Sequence, residues 1–143
     1  MTTNRNNDGW DAVDKMLKAR EAQRVVVDEM TRQVKYILTK TADDGLQWHG
    51  TKCDLLEMLK VVYDKGTIIN NDGTMAGYMY MARRVFNILH ETMVSNPYAK
   101  AKRATQRKGI RRMTMTDRVR HAMASGEEGR VEAFWKTLIT TPV

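Results

Sequence analysis

Apolar residues recur at helical spacing through most of the chain, and the breaks between the stripes outline its elements. After Gly9 no Gly or Pro appears until Gly45, and Val13, Leu17, Val27, Met30, Val34, Ile37 and Leu38 form a stripe that Arg20, Gln23 and Arg24 interrupt. A period near 3.6 predicts helix. Residues 9–40 are therefore expected as one long helix packed at both ends, or as two helices with a break. Residues 1–8 are expected to be a disordered polar lead-in. Packing onto the rest of the domain and homodimerisation through residues 10–40 are both open roles for this helix.

Asp43-Asp44-Gly45 predicts a turn, followed by a short extended piece to Gly50. Thr51, with Asp54 three residues on, predicts a helix start of capping-box type. Leu55, Leu56, Met58, Leu59, Val62 and Tyr63 give that helix its apolar side, and Gly66 its stop. Thr67-Ile68-Ile69 is β-prone and closed by Asn70-Asn71-Asp72-Gly73, as a short strand or as a loop whose isoleucines plug the core. Thr74 is expected to cap a helix running to about Met93, with Met75, Tyr78, Met79, Ala82, Phe86, Leu89 and Met93 on one face and Arg83 and Arg84 off it.

Ser95-Asn96-Pro97 breaks the chain. Tyr98–Lys108 has helical propensity but almost no apolar stripe, and Gly109 interrupts it. Thr114 or Thr116 is expected to cap a helix over Asp117–Ala124, ended by Ser125-Gly126. The last amphipathic helix is Arg130–Leu138, with Val131, Phe134, Trp135, Leu138 and Ile139 on its apolar side. These elements predict an all-α fold: a small orthogonal helical bundle with a helix-turn-helix or winged-helix-like core and a short β piece at 67–69 as its only departure. The pair of helices 51–65 and 74–93 carries that reading, although its eight-residue linker exceeds the usual turn.

Composition narrows the class. With 143 residues, 42% of them hydrophobic, the chain can bury one real core. No run of 18 apolar residues and no apolar N-terminal region occurs, so neither a membrane span nor a secretory signal is expected. One cysteine, Cys53, excludes an internal disulfide and fits a reducing cytoplasm. The eleven methionines, Met75, Met79, Met81, Met113, Met115 and Met123 among them, are expected as adaptable core filler.

Charge changes the picture once it is located. Residues 1–50 hold eight basic and eight acidic side chains, and residues 51–97 hold five of each. Residues 98–124 hold nine basic side chains against Asp117 alone, so the net +7 of the protein lies in this one stretch. Lys100, Lys102, Arg103, Arg107, Lys108, Arg111, Arg112, Arg118 and Arg120 form a localised field. Such a field gains by releasing counterions from a phosphate backbone, and arginine suits bidentate contact with phosphate or a guanine edge. If the helix continues through Gly109, Arg103, Arg107 and Arg111 share one face. Arg83 and Arg84 are further candidate contacts. An acidic protein partner and RNA are the alternatives to duplex DNA. An anionic membrane would need an apolar opposite face that Lys100–Lys108 lacks.

Enzyme chemistry is not expected. His49, His90 and His121 show no metal-ligand spacing, and no phosphate-binding loop or paired-carboxylate arrangement occurs. His49 and Cys53 are four residues apart, and a buried structural cysteine beside an incidental histidine is the expectation there. No cofactor is implied.

The order Trp48, Lys52, Leu55-Leu56-Glu57, Tyr63, Gly66, Ile69-Asn70, Gly73, then Phe86-Asn87-Ile88, Tyr98 and a run of Arg and Lys resembles the C-terminal domain of the RteC family. The resemblance covers about residues 46–124. It implies a DNA-binding transcriptional activator carried by conjugative transposons, with a winged-helix-like C-terminal region. On that basis 46–143 would be the DNA-binding domain, and Arg103, Arg107, Lys108, Arg111 and Arg112 the positions carried over. The family's larger N-terminal domain has no counterpart here beyond the helical stretch 10–40, and the helix after the basic segment is shorter.

Overall fold

The computed structural model describes residues 3–106 and 113–142. Among these, six α-helices and one two-stranded sheet follow the order α1 (Thr3–Leu38), β1 (Gln47–Trp48), α2 (Lys52–Lys65), α3 (Tyr78–Ile88), α4 (Pro97–Thr105), α5 (Met115–Ala124), α6 (Arg130–Leu138) and β2 (Ile139–Thr140). The protein is all-α apart from these short β pieces.

α2 is the central helix. The Thr51 hydroxyl accepts from the Asp54 backbone N–H at 3.0 Å, and Gly66 closes the helix in the left-handed region at φ 72°. A side chain at Gly66 would also meet the Met75 sulfur at 2.8 Å. Every residue from Asp54 to Leu59 is buried, because α1, α3, α4 and α5 all pack around this helix. Each fully buried Leu or Met contributes about 1.5–3 kcal/mol through loss of apolar surface to water, so α2 dominates the core.

α1 divides into two halves. Val26, Met30, Val34 and Ile37 are buried at spacings of three and four, which seats the C-terminal half on α2, α3 and α5. Residues 9–24 are all exposed. The helix thus packs at one end only, and it begins at Thr3, within the stretch expected to be a disordered lead-in.

Between α2 and α3 the chain makes a small hairpin. Ile69 pairs with Met75 in an antiparallel bridge, the Ala76 N–H donates to the Ile68 carbonyl at 2.9 Å, and the Asn70 N–H donates to the Thr74 carbonyl at 2.8 Å. Ile68 is buried and Ile69 exposed, so only one isoleucine plugs the core. Thr74 does not cap α3. Its hydroxyl and backbone N–H both donate to the Asp72 carboxylate across the turn, which holds that carboxyl below the usual carboxylate range. α3 starts four residues later, with Gly77 as its N-cap, and ends at Ile88 rather than Met93. His90 adopts a left-handed φ of 59°, and its Nε2 donates to the Ala42 carbonyl at 2.8 Å. Met75, expected on the apolar face of α3, is exposed in the hairpin.

The sheet was not expected as a pair. The extended piece after Gly45 is β1, and its partner is β2, where Ile139 leaves the helical stripe to pair with Trp48. The His49 N–H donates to the Leu138 carbonyl at 2.7 Å, which ties α6 to the start of α2. The methionines divide: Met30, Met58, Met81 and Met115 are fully buried, whereas Met16, Met75 and Met113 are exposed. No helix among the described residues is long and apolar enough to cross a membrane.

Candidate nucleic-acid interface

α4 carries the first part of the basic segment. Pro97 occupies its first turn, where the missing N–H costs nothing. Pro97, Ala101 and Ala104 are buried at spacings of four and three, and this seam of small side chains lets α4 lie close against α2. Ala99, Lys102, Arg103 and Gln106 fall on the opposite face and are exposed, while Lys100 is half-buried at the edge. Its ammonium donates to the Ser95 hydroxyl at 3.3 Å. Tyr98 packs edge-on against Tyr78 at 5.3 Å, with the Lys60 ammonium 5.6 Å from its ring centroid. Burial, and secondarily Tyr98, pushes the Tyr78 phenol well above its ordinary pKa.

The helix expected over Tyr98–Lys108 is therefore Pro97–Thr105, with Gln106 as its C-cap. Arg107, Lys108, Arg111 and Arg112 lie outside the described residues, as does the expected interruption at Gly109. The alignment of Arg103, Arg107 and Arg111 on one face falls there too.

α5 uses its basic residues for a different purpose. Thr114 is its N-cap, accepting from the Asp117 N–H at 3.1 Å. The backbone N–H groups of Met115 and Thr116 donate to the Glu57 carboxylate at 3.0 and 2.9 Å, and the Thr116 hydroxyl donates to it at 3.1 Å. A carboxylate at a helix N-terminus meets both the free N–H groups and the positive end of the helix dipole. Glu57 and Asp54 are both 0% exposed, and Arg118 Nη2 stands 2.5 Å from Asp54 Oδ1. Arg120 pairs with Asp117 and donates to the Gln23 side chain of α1. Arg118 and Arg120, expected to face nucleic acid, instead hold α5 to α2 and α1.

Arg83 and Arg84 on α3 are exposed as expected, but they differ. Arg84 donates to the Leu38 carbonyl at 3.1 Å and so caps the C-terminus of α1. Arg83 has no hydrogen-bond or ion-pair partner among the described residues. A cleft of about 340 Å³ opens beside Arg84, between the end of α1 and the hairpin, with Lys35, Ile69 and Tyr80 also on its wall.

Cys53 is exposed rather than buried. It stands on the first turn of α2, facing Lys100 and Arg103 across a shallow surface depression. His49 does not serve it, since His49 Nε2 lies 2.8 Å from the Thr140 hydroxyl. Among the described residues no group of three His, Cys, Asp or Glu side chains is placed to hold a metal ion.

Two features escaped the sequence reading. The acids Asp54 and Glu57 sit one turn apart on an otherwise apolar face of α2, and buried carboxylates demand partners. That interruption of the stripe was the available signal. The other is the exposed row of Trp10, Val13, Met16 and Leu17 on α1, of which only Val13 and Leu17 were singled out, in a stripe left open to packing or to dimerisation.

Comparisons with family models, with curated proteins and with solved structures find no match to this chain.

Proposed function

We propose that the protein is a DNA-binding regulator or accessory protein of a mobile genetic element, RteC-like in its region 46–124, and that it grips duplex DNA through the basic run beginning on α4. One observation carries the reading. α4 buries its alanine seam and turns Lys102 and Arg103 outward, at the head of a stretch from Tyr98 to Thr116 with seven Lys or Arg and no acid. The acids Asp54, Glu57 and Asp117 are engaged by residues of α5. The basic charge of this stretch is thus concentrated in Lys100, Lys102, Arg103, Arg107, Lys108, Arg111 and Arg112, with Arg83 as a further contact.

The helix–hairpin–helix order of α2, the 68–76 hairpin and α3 supports a winged-helix-like scaffold, in which the exposed hairpin would serve as the wing. Positioning on phosphate needs only the basic groups, so this assignment explains affinity for a duplex before it explains choice of a site.

Competition separates duplex DNA from the other polyanions. With a labelled mixed-sequence duplex bound, unlabelled duplex is expected to displace it at the lowest concentration. Single-stranded RNA is expected to follow, because few aromatic side chains accompany the basic run for base stacking. Polyglutamate is expected to be weakest. Polyglutamate displacing the duplex as well as DNA does would favour an adaptor for an acidic protein, and stronger displacement by RNA would favour an RNA-binding module.

A further inference from the structure

We infer that the cleft between the C-terminal end of α1, the 68–76 hairpin and α3 is a binding site for a small aromatic carboxylate, held by Lys35 and Arg84. This goes beyond the DNA reading and stands independently of it.

The cleft encloses about 340 Å³. That lies within the range of small-ligand sites and gives room for about a dozen non-hydrogen atoms. Its floor is apolar and comes from all three elements. Ile68 and Ala76 of the hairpin and Met81 of α3 are buried, and Leu38 of α1 is half-buried beside them. Tyr80 is 54% exposed at the wall and offers an aromatic surface against which a flat ring can pack.

The charges on the wall set the sign of the occupant. Lys35 and Arg84 both line the cleft, and among the described residues no Asp or Glu does. Arg84 donates through Nη2 to the Leu38 carbonyl at 3.1 Å and through Nη1 to the Tyr80 hydroxyl at 3.4 Å. Those bonds hold the guanidinium at the wall without using all of its N–H groups, and its fork matches a carboxylate. Lys35 is exposed, and its ammonium has no hydrogen-bond or ion-pair partner among the described residues. It is therefore free to turn to the same anion. An apolar floor below two cations fits a flat apolar body with one anionic group. A sugar phosphate would set hydroxyls against Ile68, Ala76 and Met81, whose side chains accept and donate no conventional hydrogen bond. A bare anion would leave the floor uncovered.

The test is a titration of the full chain with 2-naphthoate, followed by backbone amide chemical shifts. Saturable shifts centred on residues 35–39, 68–76 and 80–84 are expected, with a Kd on the order of 0.1–1 mM. The neutral 2-naphthamide, which keeps the ring, and inorganic phosphate, which keeps only charge, are each expected to bind at least about tenfold more weakly. Lys35→Gln and Arg84→Gln are each expected to weaken naphthoate binding by roughly fivefold or more. Lys35→Gln alters an exposed side chain and is expected to keep the wild-type melting temperature, and Arg84→Gln keeps a donor for the Leu38 carbonyl. No saturable shift below about 10 mM naphthoate would overturn the proposal. So would shifts centred elsewhere, naphthamide or phosphate binding as tightly as naphthoate, or wild-type affinity in Lys35→Gln.

Discussion

Replacing Glu57 with alanine is expected to lower folding stability by about 3–4 kcal/mol, read as a shift of the urea unfolding midpoint without a change in slope. The Glu57 carboxylate receives three hydrogen bonds from the first turn of α5. Its removal leaves the buried Met115 N–H without an acceptor and the Thr116 N–H only partly served. Orphaning a buried donor costs about 1–3 kcal/mol, and a donor to a charged group lies at the upper end. The empty space beside Met115 adds to the loss. Glu57→Gln keeps the volume and one acceptor oxygen, so about half of that loss is expected. A change below about 0.5 kcal/mol in Glu57→Ala, the size of an ordinary surface substitution, would mean that α5 does not dock through this carboxylate.

The basic run is expected to behave in the opposite way, with large effects on binding and none on folding. Lys102 and Arg103 are exposed on α4, and neither side chain has a hydrogen-bond or ion-pair partner among the described residues. Lys102→Ala/Arg103→Ala is therefore expected to leave the melting temperature unchanged. If each side chain neutralises one phosphate, each contributes a factor of about five at 0.15 M salt through counterion release. The double variant is then expected to bind a duplex about 30-fold more weakly. Adding Arg107→Ala, Arg111→Ala and Arg112→Ala is expected to bring the loss to between three and four orders of magnitude. Fluorescence anisotropy of a labelled duplex checks this, and an unchanged affinity in the five-residue variant would refute the assignment of this segment.

Much of the architecture was legible because local chemistry determined it. Thr51 and Gly66 bound α2, Thr114 caps α5, and α6 spans Arg130–Leu138 as its stripe predicts. Errors arose where a distant partner decided the outcome. β2 forms because β1, some 90 residues earlier, is there to pair with it, and nothing near Ile139 announces that. Thr74 has the chemistry of a cap, yet Asp72 holds it in a turn. The α4 seam went unread because Pro97, Ala101 and Ala104 are too small to register as a stripe, although small side chains are what bring two helices close.

The candidate site was legible in part for the same reason. Net charge along the chain located the basic segment, but charge alone does not say which way an arginine faces. Arg118 and Arg120 look like Arg103 in sequence. They differ because α5 presents them to Asp54, Asp117 and Gln23, whereas α4 presents Lys102 and Arg103 to solvent. The interruption of the α1 stripe at Arg20, Gln23 and Arg24 was visible, but it was read as a gap between two packed ends, whereas the domain ends beneath the helix near Gln23.

The most direct test of the central claim is the salt dependence of wild-type binding to a mixed-sequence duplex. If about six of the seven basic side chains of the proposed segment reach phosphates, the log–log slope of affinity against salt is expected to be about −5. A slope shallower than about −1, or no measurable binding at about 50 mM salt, would contradict the account.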